Sequence, residues 1–188
     1  MAIGLLFDEL NVLRTDLTEA YNTYGSLKKI PVKDDLWDII LDYLMLAYMM
    51  GVEDVDEVFG TNYAEKVRPE DIERVVFEKV AGKDFRQRVN EYVENDGTVE
   101  DIMRIAETDT TRIYNEGGLE TAEKAGAKYK TWNTMGDERV RASHDYIERV
   151  RVGIDDRFYT FDGDSALSPG GFTMPENNIN CRCWLTFS

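Results

Sequence analysis

The sequence predicts an α+β protein: a mainly helical N-terminal part over residues 1–126, then a small α+β module over 127–188 with two or three strands around one short helix. Three observations carry that reading. Apolar residues recur every three or four positions as far as Leu119, the spacing of helices that bury one stripe. After Gly126 the pattern alternates in Lys128-Tyr129-Lys130-Thr131-Trp132, a strand-like run. From residue 155 to 180 the chain is crowded with Gly, Asp, Pro and Asn, which supply turns.

The first helix, 5–24, carries Leu6, Leu10, Leu13, Leu17, Ala20, Tyr21 and Tyr24 and ends at Gly25, a left-handed cap. Pro31 breaks the chain, and Asp34/Asp35 open a second helix running to Gly51. Leu36, Trp37, Ile39, Ile40, Tyr43, Leu44, Leu46, Ala47 and Tyr48 make it apolar almost all round, with Asp38 and Asp42 as its wet stripe. Such a helix is central or an oligomer contact. Residues 52–68 read as an acidic, turn-rich connection around Gly60-Thr61-Asn62. Pro69-Glu70-Asp71 is a first helical turn, with proline at the start and acids at the positive end. That helix runs from Ile72 to Val80 and stops near Gly82; another spans Phe85 to Val93 and stops at Asn95-Asp96-Gly97.

Thr98 caps a longer helix, 98–126, with Ile102, Ile105, Ala106, Ile113 and Leu119 on its apolar side. Its insert Glu107-Thr108-Asp109-Thr110-Thr111 is a weak helix former and invites a specific polar contact. In the module, the strand at 128–132 is followed by a short helix from Gly136-Asp137 to about Ile147 and an extended stretch at 149–154. The last strand is Cys181 to Phe187. An irregular segment as long as 155–180 is uncommon in a compact domain unless it is functional or pinned.

Composition narrows the function. Among 188 residues, 37 acids face 22 Lys and Arg, for a net charge of −15. Residues 1–107 carry −12 of this and 108–188 only −3, so the first part repels a phosphate backbone. Arg139, Arg141, Arg149, Arg151 and Arg157 are interleaved with acids, and no direct nucleic-acid binding is expected. Twenty-one aromatic residues argue against disorder. The N-terminus lacks a basic stretch ahead of its apolar residues, and Leu36 to Met50 is short and interrupted, so neither a signal peptide nor a membrane span is expected. Cys181 and Cys183 sit too close in sequence to close a useful loop, which fits a reducing cytoplasm.

One series of residues is more specific: Thr108 to Asn115-Glu116-Gly117, Lys130-x-Trp132, Asp137, Arg141-x-x-His144, Phe158, Gly163, Pro175 and Asn180-Cys181-Arg182-Cys183. In order and spacing it resembles the C-terminal module of the phage Mu F-like head morphogenesis family, the minor head proteins of tailed phages. The likeness covers about residues 100–188; residues 1–99 resemble no family we can name. Where the family often has a glycine after the His-bearing helix, this chain has Glu148-Arg149. The resemblance implies a virion or procapsid component, present in the host cytoplasm during assembly, that acts in head morphogenesis or genome delivery. It implies several copies per particle and portal, major capsid or scaffold protein as partners.

The same residues admit more than one chemistry. In a strand, Cys181 and Cys183 present both sulfurs on one side. His144, the only histidine, could join them, with Asp137 as a fourth ligand, around a zinc ion. Cys-x-Cys is a poorer fit to zinc than Cys-x₂₋₄-Cys, and the preferred reading makes both cysteines small buried hydrophobes flanking an exposed Arg182. His144 is preferred as a neutral residue bonding the backbone of the long loop and holding it against Trp132. Arg141 pairs with Asp137 or anchors the Asp/Gly loop, and Arg182 braces that loop from the other side. The expected clamp on 155–180 is thus Trp132, Asp137, Arg141, His144, Asn180, Cys181, Arg182 and Cys183. No enzyme is expected: there is one histidine, no Ser-His-Asp order and no phosphate-cradling glycine loop. A zinc-stabilised binding module and a phage-borne effector enzyme are the competing readings.

Overall fold

A computed structural model describes residues 2–30, 36–80 and 82–188; the break at Pro31, the opening at Asp34/Asp35 and the side chains of Leu36 to Ile39 lie outside them. Helix α1 (Ala2–Tyr24) buries Leu6, Leu10, Leu13 and Leu17 and ends at Gly25 with φ +74°. Tyr21 and Tyr24 continue the spacing but lie on its exposed side.

Helix α2 (Leu36–Phe59) runs a further two turns beyond the expected stop at Gly51. The reason lies across the interface, on α5 (Val99–Ala125). A Cβ on Gly51 would stand 2.1 Å from the carbonyl oxygen of Tyr114, and one on Gly117 would stand 2.6 Å from that of Tyr48. These glycines let two long helices approach along their backbones, and Gly51 ends nothing. The helix stops at Gly60, φ +65°, where the Asp56 carboxylate accepts from the N–H groups of Tyr63 and Ala64. Helix α2 is accordingly central, packed against α1, α5 and the next helix.

That next helix, α3 (Pro69–Val76), starts where the proline and acids place it but ends short of the expected Val80, whose backbone exchanges hydrogen bonds with Lys83 instead. Helix α4 (Phe85–Glu94) and α5 each begin with reciprocal side-chain caps, Asp84 with Gln87 and Thr98 with Asp101. Helix α5 ends at Gly126, φ +84°. None of the described helices is long and apolar enough to cross a membrane.

The module is a three-stranded antiparallel sheet in the order β2-β1-β5, with β1 at Tyr129–Asn133, β2 at Arg151–Gly153 and β5 at Trp184–Phe187. Only Ala142–Asp145 (α6) of the expected 136–147 helix is helical; Arg141 before it is extended. The 155–180 segment contains its own small elements, a hairpin of β3 (Phe158–Tyr159) and β4 (Ser165–Ala166) and the turn of helix α7 (Pro175–Asn178). Arg149, after the His-bearing helix, adopts φ +60°, so this turn is made with a side chain on it.

The last strand starts at Trp184, three residues later than predicted, because the carbonyls of Cys181 and Cys183 bond helix α5 instead of the sheet. Successive residues of β5 then serve two cores. Trp184 joins the helical core, and Leu185 joins Trp132, Ile147, Phe158, Phe172 and both cysteines in the module's own.

Candidate functional site

Helix α5 positions the C-terminal segment through the polar insert and through Asn115, one turn beyond it. Thr111 Oγ1 donates to the Cys181 carbonyl; Asn115 Nδ2 donates to that of Cys183 at 3.0 Å, while its Oδ1 accepts from Leu185 N–H at 3.0 Å. Both side chains are fully buried, so each satisfies backbone groups that water cannot reach. The insert therefore makes the specific contact its composition invites.

The two thiols turn inward on the same imidazole. His144 Nδ1 lies 3.4 Å from Cys183 Sγ and 3.7 Å from Cys181 Sγ, and all three residues are at most 3% exposed. The ring stacks on Phe172 at 5.3 Å between centroids and meets Trp132 edge-on at 5.5 Å. His144 is held against Trp132 as predicted, but it faces sulfur and not loop backbone. A hydrogen bond from the Cys183 thiol, with help from His144, overcomes burial and holds the Cys181 thiol well below its ordinary range; the same bond and burial push Cys183 up. Among the described residues these three form the one His/Cys/Asp/Glu group whose ligand atoms converge.

Asp137 is not part of it. Its carboxylate is exposed and takes Arg182 at 2.6 Å, a bond that holds it below the usual carboxylate range, so the expected fourth ligand and the Asp137–Arg141 pair both give way to Asp137–Arg182. The Arg182 side chain is 15% exposed, against the expected exposed position. Arg141 donates to the Ile179 carbonyl and so anchors the loop end. Asn180 contributes its backbone: at φ +54° it makes the turn into Cys181, with its N–H on Thr108 Oγ1 and its side chain exposed. Beside His144 and Cys183, near Arg141 and Arg182, lies a cavity of about 10 Å³.

Residues that the sequence reading missed fasten the loop itself. Asp164, buried, accepts from the backbone N–H groups of Ser165, Thr173 and Met174 and from Asn177 Nδ2. Asn177 also accepts from Ser143 Oγ on α6, and Asn178 bonds Phe172 through both N–H and carbonyl. Their only sequence signal is membership of a turn-rich stretch. A buried charge group was also missed: Asp109 on α5 sits between Arg88 (2.7 Å) and Arg112 (3.3 Å), and Arg112 reaches the Val75 carbonyl. Gly170 lies against Arg112, where a Cβ would come within 2.7 Å of that residue's own. Lys130 is fully buried, its Nζ 5.8 Å over the Phe158 ring, and burial pushes its pKa down.

Residues 70–186 match the family described as Phage Mu protein F like protein, and the chain belongs to that family. The matched region starts at α3, earlier than the residue-100 limit read from the sequence; α3 and α4 supply the groups that hold Asp109 and Arg112.

Among curated proteins, the chain is 31% identical over 85 residues to Minor head protein GP7 of Bacillus phage SPP1, across 44% of this chain and 28% of that protein. It is 29% identical over 112 residues to NAD(+)--arginine ADP-ribosyltransferase EFV of Enterococcus faecalis, across 57% of this chain and 22% of that one. The matches thus span about a quarter of either relative's length. No solved structure matches.

Proposed function

We propose that the protein is a structural component of a tailed-phage head. In this reading it sits in several copies in the procapsid or virion, near the portal, and touches portal, major capsid or scaffold protein. The observation that carries the reading is the family match over residues 70–186, together with identity to a minor head protein. The chemistry of the module supports it. Its histidine and both thiols are buried with Trp132, Phe158 and Phe172, and they tie chain segments together. The surface offers a docking patch instead: Tyr146, Tyr159 and Phe161 are each more than 60% exposed, and the rings of Tyr146 and Phe161 meet edge-on at 5.7 Å.

The test is mass spectrometry of purified procapsids and virions, with co-sedimentation of the chain with co-expressed portal and capsid proteins. Presence in particles at a fixed ratio supports the reading; absence from both overturns it. The likeness to an arginine ADP-ribosyltransferase favours a second reading, in which the module accompanies an effector activity. Transfer of label from NAD⁺ to an arginine acceptor by this chain would establish it.

A further inference from the structure

We propose that His144, Cys181 and Cys183 bind one Zn²⁺ ion, with the fourth coordination position completed from the small cavity that His144 and Cys183 line. The spacing of the donor atoms is the first argument. Zinc–sulfur bonds of about 2.3 Å and zinc–nitrogen bonds of about 2.0–2.1 Å at a tetrahedral angle put nitrogen and sulfur roughly 3.5 Å apart. The two distances from Nδ1 are 3.4 and 3.7 Å, and all three donor atoms lie within 4.8 Å of one another.

Hydrogen bonding accounts for this arrangement less well. At Nδ1 a neutral imidazole offers one lone pair or one N–H and so engages one sulfur at a time, leaving the second to bond the other thiol. A metal ion takes both. Charge agrees: as Zn²⁺ binds, any proton still on either sulfur leaves to solvent, and two thiolates with a neutral imidazole cancel the ion's charge. No net charge is then stranded among Trp132, Phe158 and Phe172.

The donors are also set in advance. Thr111 and Asn115 fix the carbonyls of both cysteines on α5, while Trp132 and Phe172 hold the imidazole ring. Because Cys181 and Cys183 lie outside the β5 ladder, after the left-handed turn at Asn180, their short spacing does not stop both sulfurs from facing one point. Two soft thiolates and an imidazole favour zinc over magnesium or calcium. The cavity of about 10 Å³ has room for about one water molecule as the fourth ligand. Bound there, the ion ties α6 to the C-terminal segment.

The full chain, purified under reducing conditions without chelator, is titrated with Zn²⁺ and separately with Co²⁺ as a spectroscopic stand-in. We expect about one ion per chain, a thiolate-to-cobalt charge-transfer band with intense tetrahedral d–d absorption, and a raised Tm. Cys181→Ser, Cys183→Ser and His144→Ala each lose the band, whereas Tyr159→Ala, exposed on the module's surface, keeps it. Should the serine variants fail to fold, the wild-type cobalt spectrum and stoichiometry decide alone. A folded wild-type chain that takes up neither ion with thiolate ligation, or metal retained in all three ligand variants, overturns the proposal. Neither readout involves a phage particle, so this inference and the head-protein reading fail independently.

Discussion

The helical part and the C-terminal module are stabilised by different means. Helices α1 to α5 bury leucine, isoleucine and valine stripes on one another, and their closest approach is set by the absence of side chains at Gly51 and Gly117. The module gathers a few aromatic rings and thiols, and then depends on individual polar side chains (Thr111, Asn115, Asp164, Asn177 and Asn178) to hold an irregular segment in place. A core of interchangeable apolar residues tolerates substitution if its volume is kept. A polar network does not, because removing one member strands its partners.

The largest effect tests the helical side. In Gly51→Ala the new methyl meets the Tyr114 carbonyl, so α2 and α5 must separate, at a cost of about 3 kcal/mol or more. Chemical denaturation reads this as a large fall in midpoint; an unchanged midpoint would refute the account of the crossing. Trp132→Ala costs a similar amount, roughly 3–5 kcal/mol, but the loss should stay local. Amide exchange is expected to quicken over 127–188 while α2 and α5 stay protected, and uniform loss of protection would mean that the two regions fold as one unit.

Asn115→Ala probes the joint between them. It leaves the Cys183 carbonyl and the Leu185 N–H without their partner, costing on the order of 1–3 kcal/mol. Faster exchange should be centred on β5.

Acid supplies a gentler probe. Burial raises the Asp164 carboxyl, but bonds from Met174, Asn177, Ser165 and Thr173 outweigh it and hold it below its usual value. Its contribution is present above the unfolded value of about 3.9 and is lost as pH falls through the lower, folded one. Pepsin cleavage within 155–180 should therefore rise as pH drops below about 4, with a flatter response in Asp164→Asn. The smallest effect is Asn180→Ala, about 1 kcal/mol for a left-handed alanine, which Asn180→Gly should not show.

These regions also differ in how far they can be read from residues alone. Leu6, Leu10, Leu13 and Leu17 declare their helix because a stripe is a local, repeated signal. Gly51 misled, since a glycine that ends a helix and one that lets a second helix approach are the same letter; only Tyr114, distant in sequence, distinguishes them. Asn177 and Asp164 read as turn residues because their partners are set by how the loop folds back.

By itself the sequence determined the class, the order of the main helices and of the three sheet strands, the change of character at Gly126, and the likeness carried by Trp132, His144 and the Cys-x-Cys pair. Tertiary structure decided which side chains meet. It gave Asp137 to Arg182, took the carbonyls of Cys181 and Cys183 away from the sheet, and turned both sulfurs onto one ring nitrogen. The physical reason is range: periodicity and turn chemistry act over a few residues, whereas each of these contacts joins groups more than 35 positions apart in the chain.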